Sequence, residues 1–89
     1  MFSIHYRGRR LVPSRSAMRE MVRLGLTLED CLQLLEEGVP APRERSKGCI
    51  EMWRAKGKKT FNIVIVESVN FASNEAVYVI THIGRFTRR

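Results

Sequence analysis

This chain has few residues able to hold a metal. Two histidines, His5 and His82, and two cysteines, Cys31 and Cys49, are its whole supply of imidazole and thiolate ligands. The cysteines form neither a metal-ligand spacing nor a C-x-x-C redox pair, and the carboxylates are scattered, so no metal and no cofactor are expected. Missing as well is any apolar run approaching the roughly 18 residues a membrane-spanning helix requires, and charges after Ile4 interrupt a signal-peptide core. With Cys31 on an apolar helical stripe as a free thiol, the expected setting is cytoplasmic, without a membrane partner. Internal repeats, low-complexity tracts and a glycine-rich phosphate loop are all lacking. Without a nucleophile-elbow motif in so short a chain, a Ser-His-Asp hydrolase is disfavoured.

Positive charge is abundant. Sixteen Lys and Arg against nine Asp and Glu give a net charge of +7, and 44% of the residues are apolar, enough for a folded chain. At 89 residues the chain is expected to be one domain spanning 1–89. Residues 1–25 carry six basic side chains and one acidic, 26–40 four acidic and no basic, and 41–60 seven basic and two acidic. Positive potential is thus expected away from a single acidic helix. A polyanion, nucleic acid first and an acidic protein second, is the partner class this balance favours.

Phe2, Ile4 and Tyr6 alternate with polar residues as a short strand does, and Arg7-Gly8-Arg9 can turn it into a second stretch ending at Pro13. Ser14 or Ser16 can cap a helix that runs to about Leu24, with Met18, Met21 and Val22 as its apolar face and Gly25 as its stop. Thr27 and Asp30 form a capping box for a second helix, whose Leu28, Cys31, Leu32 and Leu35 fall at i, i+3, i+4, i+7 before Gly38. Val39-Pro40-Ala41-Pro42 cannot continue it and opens a linker to Gly48. Three strands are expected to follow: Cys49 to Ala55, Lys59 to Glu67 and Ala76 to His82. The middle one is central because Ile63 to Val66 is apolar on both faces. The fold class is α+β: two helices packed on an antiparallel sheet of three main strands, which a short N-terminal strand or hairpin can extend.

The end of the chain holds the chemistry. A period of two puts Tyr78, Ile80 and His82 on one face, followed by Arg85, Arg88 and Arg89. Metal-free RNA cleavage needs a base for the 2′-hydroxyl, an acid for the leaving oxygen and positive charge at the phosphate. His82 can serve as acid or base, Tyr78 can position or donate, and Arg85 with Arg88 can stabilise charge; a lone His on a strand is more often a satisfied structural residue, and a Tyr there more often core packing. Arg15, Arg19 and Arg23 recur every four residues as a phosphate-tracking stripe or a solvated face. Lys56, Lys58 and Lys59 cluster at the tip of a hairpin, for solubility or nucleic-acid contact. Trp53 can fill the core or stack on a base.

The element Leu24-Gly25-Leu26-Thr27-Leu28-Glu29-Asp30 and the ending Ile80-Thr81-His82-Ile83-Gly84-Arg85-Phe86-Thr87-Arg88-Arg89 resemble those of the RelE/BrnT-like toxin superfamily, in particular its short uncharacterised relatives. The similarity covers roughly residues 14–89. It implies an RNA-interacting toxin-like protein, a metal-independent endoribonuclease paired with an acidic antitoxin. Many relatives have a histidine at the start of the first helix and an arginine one turn later, where this chain has Ser16 and Glu20. That departure keeps open a non-catalytic nucleic-acid- or protein-binding module of the same fold.

Overall fold

The fold is described from a computed structural model, for residues 3–42 and 47–87. Its elements in chain order are β1 (His5–Tyr6), β2 (Arg9–Pro13), α1 (Arg15–Leu24), α2 (Leu28–Glu37), β3 (Val39–Pro40), β4 (Cys49–Lys56), β5 (Lys59–Asn70) and β6 (Glu75–Thr87). The strands form one curled sheet in the order β1-β2-β6-β5-β4-β3, so the fold is α+β, with β5 between β6 and β4. The sheet is larger than the expected three strands, and it is mixed rather than antiparallel: β2 runs parallel to β6, with Arg10 opposite Val77 and Pro13 opposite Ile80. The helical crossover carried by α1 and α2, with the strands that follow, makes this parallel pairing possible. Val39–Pro40, expected as linker, pairs with Trp53 and Met52 as a two-residue edge strand, a position where a proline without an amide donor is tolerated. Of that linker, residues 43–46 lie outside the described part.

Both helices begin where the sequence places a cap. The Ser14 hydroxyl accepts from the Ala17 amide at 3.2 Å, and the Ser14 amide donates to the Ile80 carbonyl at 2.9 Å, so the start of α1 is anchored to β6. The capping box of α2 is complete: the Asp30 amide donates to Thr27 Oγ1 at 3.1 Å and the Thr27 amide to Asp30 Oδ2 at 2.8 Å. Gly25 ends α1 at φ +70°, where a side chain would be strained. Gly38 ends α2 for a different reason. Its φ of −76° suits any residue, but a Cβ there would sit 2.5 Å from the Leu34 carbonyl oxygen and 2.9 Å from that of Trp53. Only a bare backbone passes between α2 and β4.

The core lies between the helices and one face of the sheet. It gathers Ala17 and Met21 of α1, Cys31, Leu34 and Leu35 of α2, and Leu11, Met52, Ile63, Ile65, Tyr78, Ile80 and Ile83 of the strands. On α1 the expected apolar face is corrected: Met21 is buried beside Ala17, whereas Met18 is 53% and Val22 82% exposed. Helix periodicity selected the right turn spacing but the wrong neighbour, because Ala17 is small enough to let α1 approach β6 closely. On α2 the expected Leu28 and Leu32 pack at the margin of the core, while Leu34 is buried beside Cys31 and Leu35.

Along β6 a register shift changes everything downstream. Ile80 faces Ile65 and His82 faces Val64, so Thr81 is an extra residue with no opposite number on β5. A β-bulge of this kind moves each later side chain to the other face. Tyr78 and Ile80 therefore point to the helices, and His82 does not. The expectation that Tyr78, Ile80 and His82 share one face is corrected by this bulge.

Candidate functional site

Beyond the bulge the second face of the sheet receives His82, Gly84 and Phe86 from β6, opposite Val64, Asn62 and Thr60 of β5, with Trp53 opposite Asn62 on β4. β2 has already ended opposite Ile80, which leaves the outer side of this part of β6 without a strand neighbour among the described residues. The C-terminal turn of α1 approaches there. Together these elements line a cleft of about 510 Å³ that contains Glu20, Arg23, Trp53, Asn62, His82, Gly84, Arg85 and Phe86.

Its floor is a hydrogen-bonded group. The Trp53 indole Nε1 donates to Glu51 Oε2 at 2.9 Å, and Asn62 Nδ2 donates to the same oxygen at 3.4 Å. Glu51 is 5% exposed and Asn62 7%, so both polar groups are embedded in the sheet. Trp53 and Phe86 meet edge to face with ring centroids 5.1 Å apart, a favoured aromatic geometry. Gly84 faces Asn62 across the β5–β6 ladder. A Cβ on it would lie 2.9 Å from Asn62 Oδ1 and 3.2 Å from His82 Nε2, so glycine leaves these two polar atoms facing a common space.

On the α1 side, Arg23 Nε donates to Glu20 Oε2 at 3.0 Å and a second guanidinium nitrogen completes the ion pair. That hydrogen bond holds the Glu20 carboxyl below its usual range; the Arg23 charge acts in the same direction, with His82 contributing, against desolvation. Reciprocally, Glu20 raises Arg23. The cleft thus holds a carboxylate that stays ionised, two guanidinium groups, an imidazole and two aromatic rings.

Of the residues singled out from sequence, His82, Arg85, Arg23 and Trp53 come together here. Tyr78 does not. It is 6% exposed on the helix-covered face, 6.0 Å from the Tyr6 ring and under the Arg9 guanidinium at 5.4 Å. Arg15 and Arg19 are exposed on α1 outside the cleft. Lys56, Lys58 and Lys59 are exposed at the β4–β5 turn, as expected; Lys59 donates to Thr87 Oγ1 at 2.7 Å, and Lys56 borders a second cleft with Asp30 and Arg54. Arg88 and Arg89 lie outside the described residues. His5 is exposed on edge strand β1. Sequence reading missed Glu51, Asn62, Gly84 and Phe86 as members of a site. The available signal was Asn62, the one polar residue in the apolar run from Phe61 to Val66.

Among the described residues no group of three or more His, Cys, Asp or Glu is placed to hold a metal ion, and no helix is long and apolar enough to cross a membrane. No family model, curated protein or solved structure matches the chain.

Proposed function

We propose that this chain is an RNA-interacting, toxin-like protein that cleaves RNA without a metal, using the cleft between α1 and the end of β6. The observation that carries the reading is the convergence of Arg23, Arg85 and His82 beside an aromatic pair. Guanidinium groups fit phosphate oxygens, aromatic faces accept unstacked bases, and an imidazole transfers protons. The Glu20 carboxylate accepts the 2′-hydroxyl proton as that oxygen attacks phosphorus. The bond from phosphorus to the 5′-oxygen breaks, and protonated His82 donates to the leaving oxygen, giving a 2′,3′-cyclic phosphate and a 5′-hydroxyl. Tyr78 has no part in this scheme, because it is buried on the other face. A small acidic protein is the neutralising partner, supported by the net charge of +7 and by exposed Arg15 and Arg19 next to exposed Met18 and Val22 on α1.

One observation favours a second reading. Glu20 already pairs with Arg23, so half the positive charge contributed by the two cleft arginines is neutralised before any phosphate arrives. A module of the same fold that binds RNA without cutting it would retain that pair. The test is incubation of purified protein with labelled single-stranded RNA in EDTA. Cyclic-phosphate products are expected from the native protein. His82→Ala and Glu20→Gln are each expected to lower the rate by about 10²-fold or more, the usual share of a general acid or base. Intact RNA held in a salt-sensitive complex establishes the binding module, and RNA neither cut nor held refutes both.

A further inference from the structure

Asn62 is the least expected residue of the sheet: an amide in the central strand, more than nine-tenths buried, that opens onto the cleft. Its orientation is fixed by its neighbour. A carboxylate oxygen only accepts hydrogen bonds, so Glu51 draws the Asn62 amino group towards itself and turns Oδ1 outward. The same carboxylate oxygen takes the Trp53 indole hydrogen, which fixes the ring beside the amide. Among the described residues Asn62 Oδ1 has no hydrogen-bond partner, and no buried side-chain oxygen or nitrogen is left unsatisfied, so this oxygen is open to the cleft. Gly84 keeps it open, since any Cβ there would press on Oδ1.

From this arrangement we infer that the cleft contains a nucleobase pocket that requires a hydrogen-bond donor on the base edge, such as the exocyclic amine of adenine, with Asn62 Oδ1 accepting that hydrogen and the edge-to-face Trp53–Phe86 pair forming an aromatic wall beside it. The inference deepens the RNA reading above and rests on it for the source of the base. An acceptor held by a largely buried side chain discriminates against a base edge with no donor, because such a base covers the oxygen and leaves it desolvated and unpaired.

Trp53 is the only tryptophan of the chain, so its fluorescence reports on this cleft directly. The probes are adenosine 5′-monophosphate and purine riboside 5′-monophosphate, which share ring, sugar and phosphate and differ by the amine. Binding is followed by Trp53 quenching and by equilibrium dialysis in the same samples. The adenine nucleotide is expected to bind about tenfold tighter, as one hydrogen bond of about 1.4 kcal/mol predicts. In Gly84→Ala that preference is expected to disappear while the thermal transition is retained, and Asn62→Leu gives the same loss of preference where it folds. Equal binding of the two nucleotides to the native protein, or binding of neither, overturns the base pocket. Retention of labelled RNA in a parallel filter assay then decides separately whether the RNA reading stands. A short adenine-containing oligoribonucleotide that competes more strongly than the mononucleotide makes RNA the source of the base. Equal competition upholds the pocket and makes a free nucleotide its ligand.

Discussion

Cys31 and Cys49 carry the same group in different surroundings. Cys31 is fully buried among the α2 leucines, and burial first, with the nearby Asp30 charge second, pushes its thiol up to about 11. Cys49, at the start of β4, is half-buried. A thiol raised in the folded state keeps its proton where the unfolded chain has lost it. The stability Cys31 contributes is therefore complete below its ordinary value of 9.0 and is lost as pH rises towards about 11. Denaturant unfolding measured at pH 8, 9, 10 and 11 is expected to show that decline in the native protein and a shallower one in Cys31→Ala. Parallel slopes would mean that the thiol is not what titrates. That Cys31 would be buried was legible from its place in an i, i+3, i+4, i+7 pattern. The burial of Glu51 and Asn62 was not, because a carboxylate and an amide read as surface residues until each is seen to satisfy the other.

At the scale of the element, what is local was legible and what is relational was not. Gly25, Thr27 with Asp30, and the turn at Gly57-Lys58 declare themselves in a few adjacent residues; of the two serines offered as the α1 cap the structure uses Ser14, and β4 runs one residue past Ala55, through Lys56. The Thr81 bulge left no such mark, since its existence depends on the register of two strands at once, and it reversed the facing of His82. The parallel partner of β2 was hidden for the same reason, with more than 60 residues between the paired strands. Among the local devices the α2 cap is the one to test. Thr27→Ala removes an acceptor from the Asp30 amide and is expected to cost about 1 kcal/mol in denaturant unfolding at neutral pH. The Thr27 backbone amide and hydroxyl hold the Asp30 carboxyl below its model-compound value. The cap's contribution is thus present above the ordinary range of an aspartate and is lost as pH falls through the lowered value. In acid the cost of Thr27→Ala should shrink accordingly; a cost independent of pH would assign it to helix propensity.

Across the whole molecule, the hairpin of β1 and β2 forms one structural unit with β6. β2 lies along β6 through Leu11 and Tyr78, and Leu11 is 2% exposed. β1 adds Tyr6 against the Tyr78 ring, and Arg10 pairs with Glu75 at 3.0 Å where β6 begins. The N-terminal hairpin therefore closes the core, and it ends where the cleft begins: its last residue, Pro13, stands opposite Ile80, just before the bulge that turns His82 outward. A chain of this size has one small core and a stability of only about 5–15 kcal/mol, so loss of one buried leucine is a large fraction of it. Leu11→Ala is expected to cost about 2–5 kcal/mol. The informative observation is where that cost appears. Trp53 sits on β4, three strands from β2 in the sheet, so its fluorescence reports on the far side. If the hairpin belongs to the cooperative unit, Leu11→Ala moves the Trp53 transition and the far-ultraviolet circular dichroism transition together and by the same amount. If the hairpin only decorates the sheet, the mutation leaves the Trp53 midpoint unchanged, and the cleft would then be built by α1, β4, β5 and β6 alone.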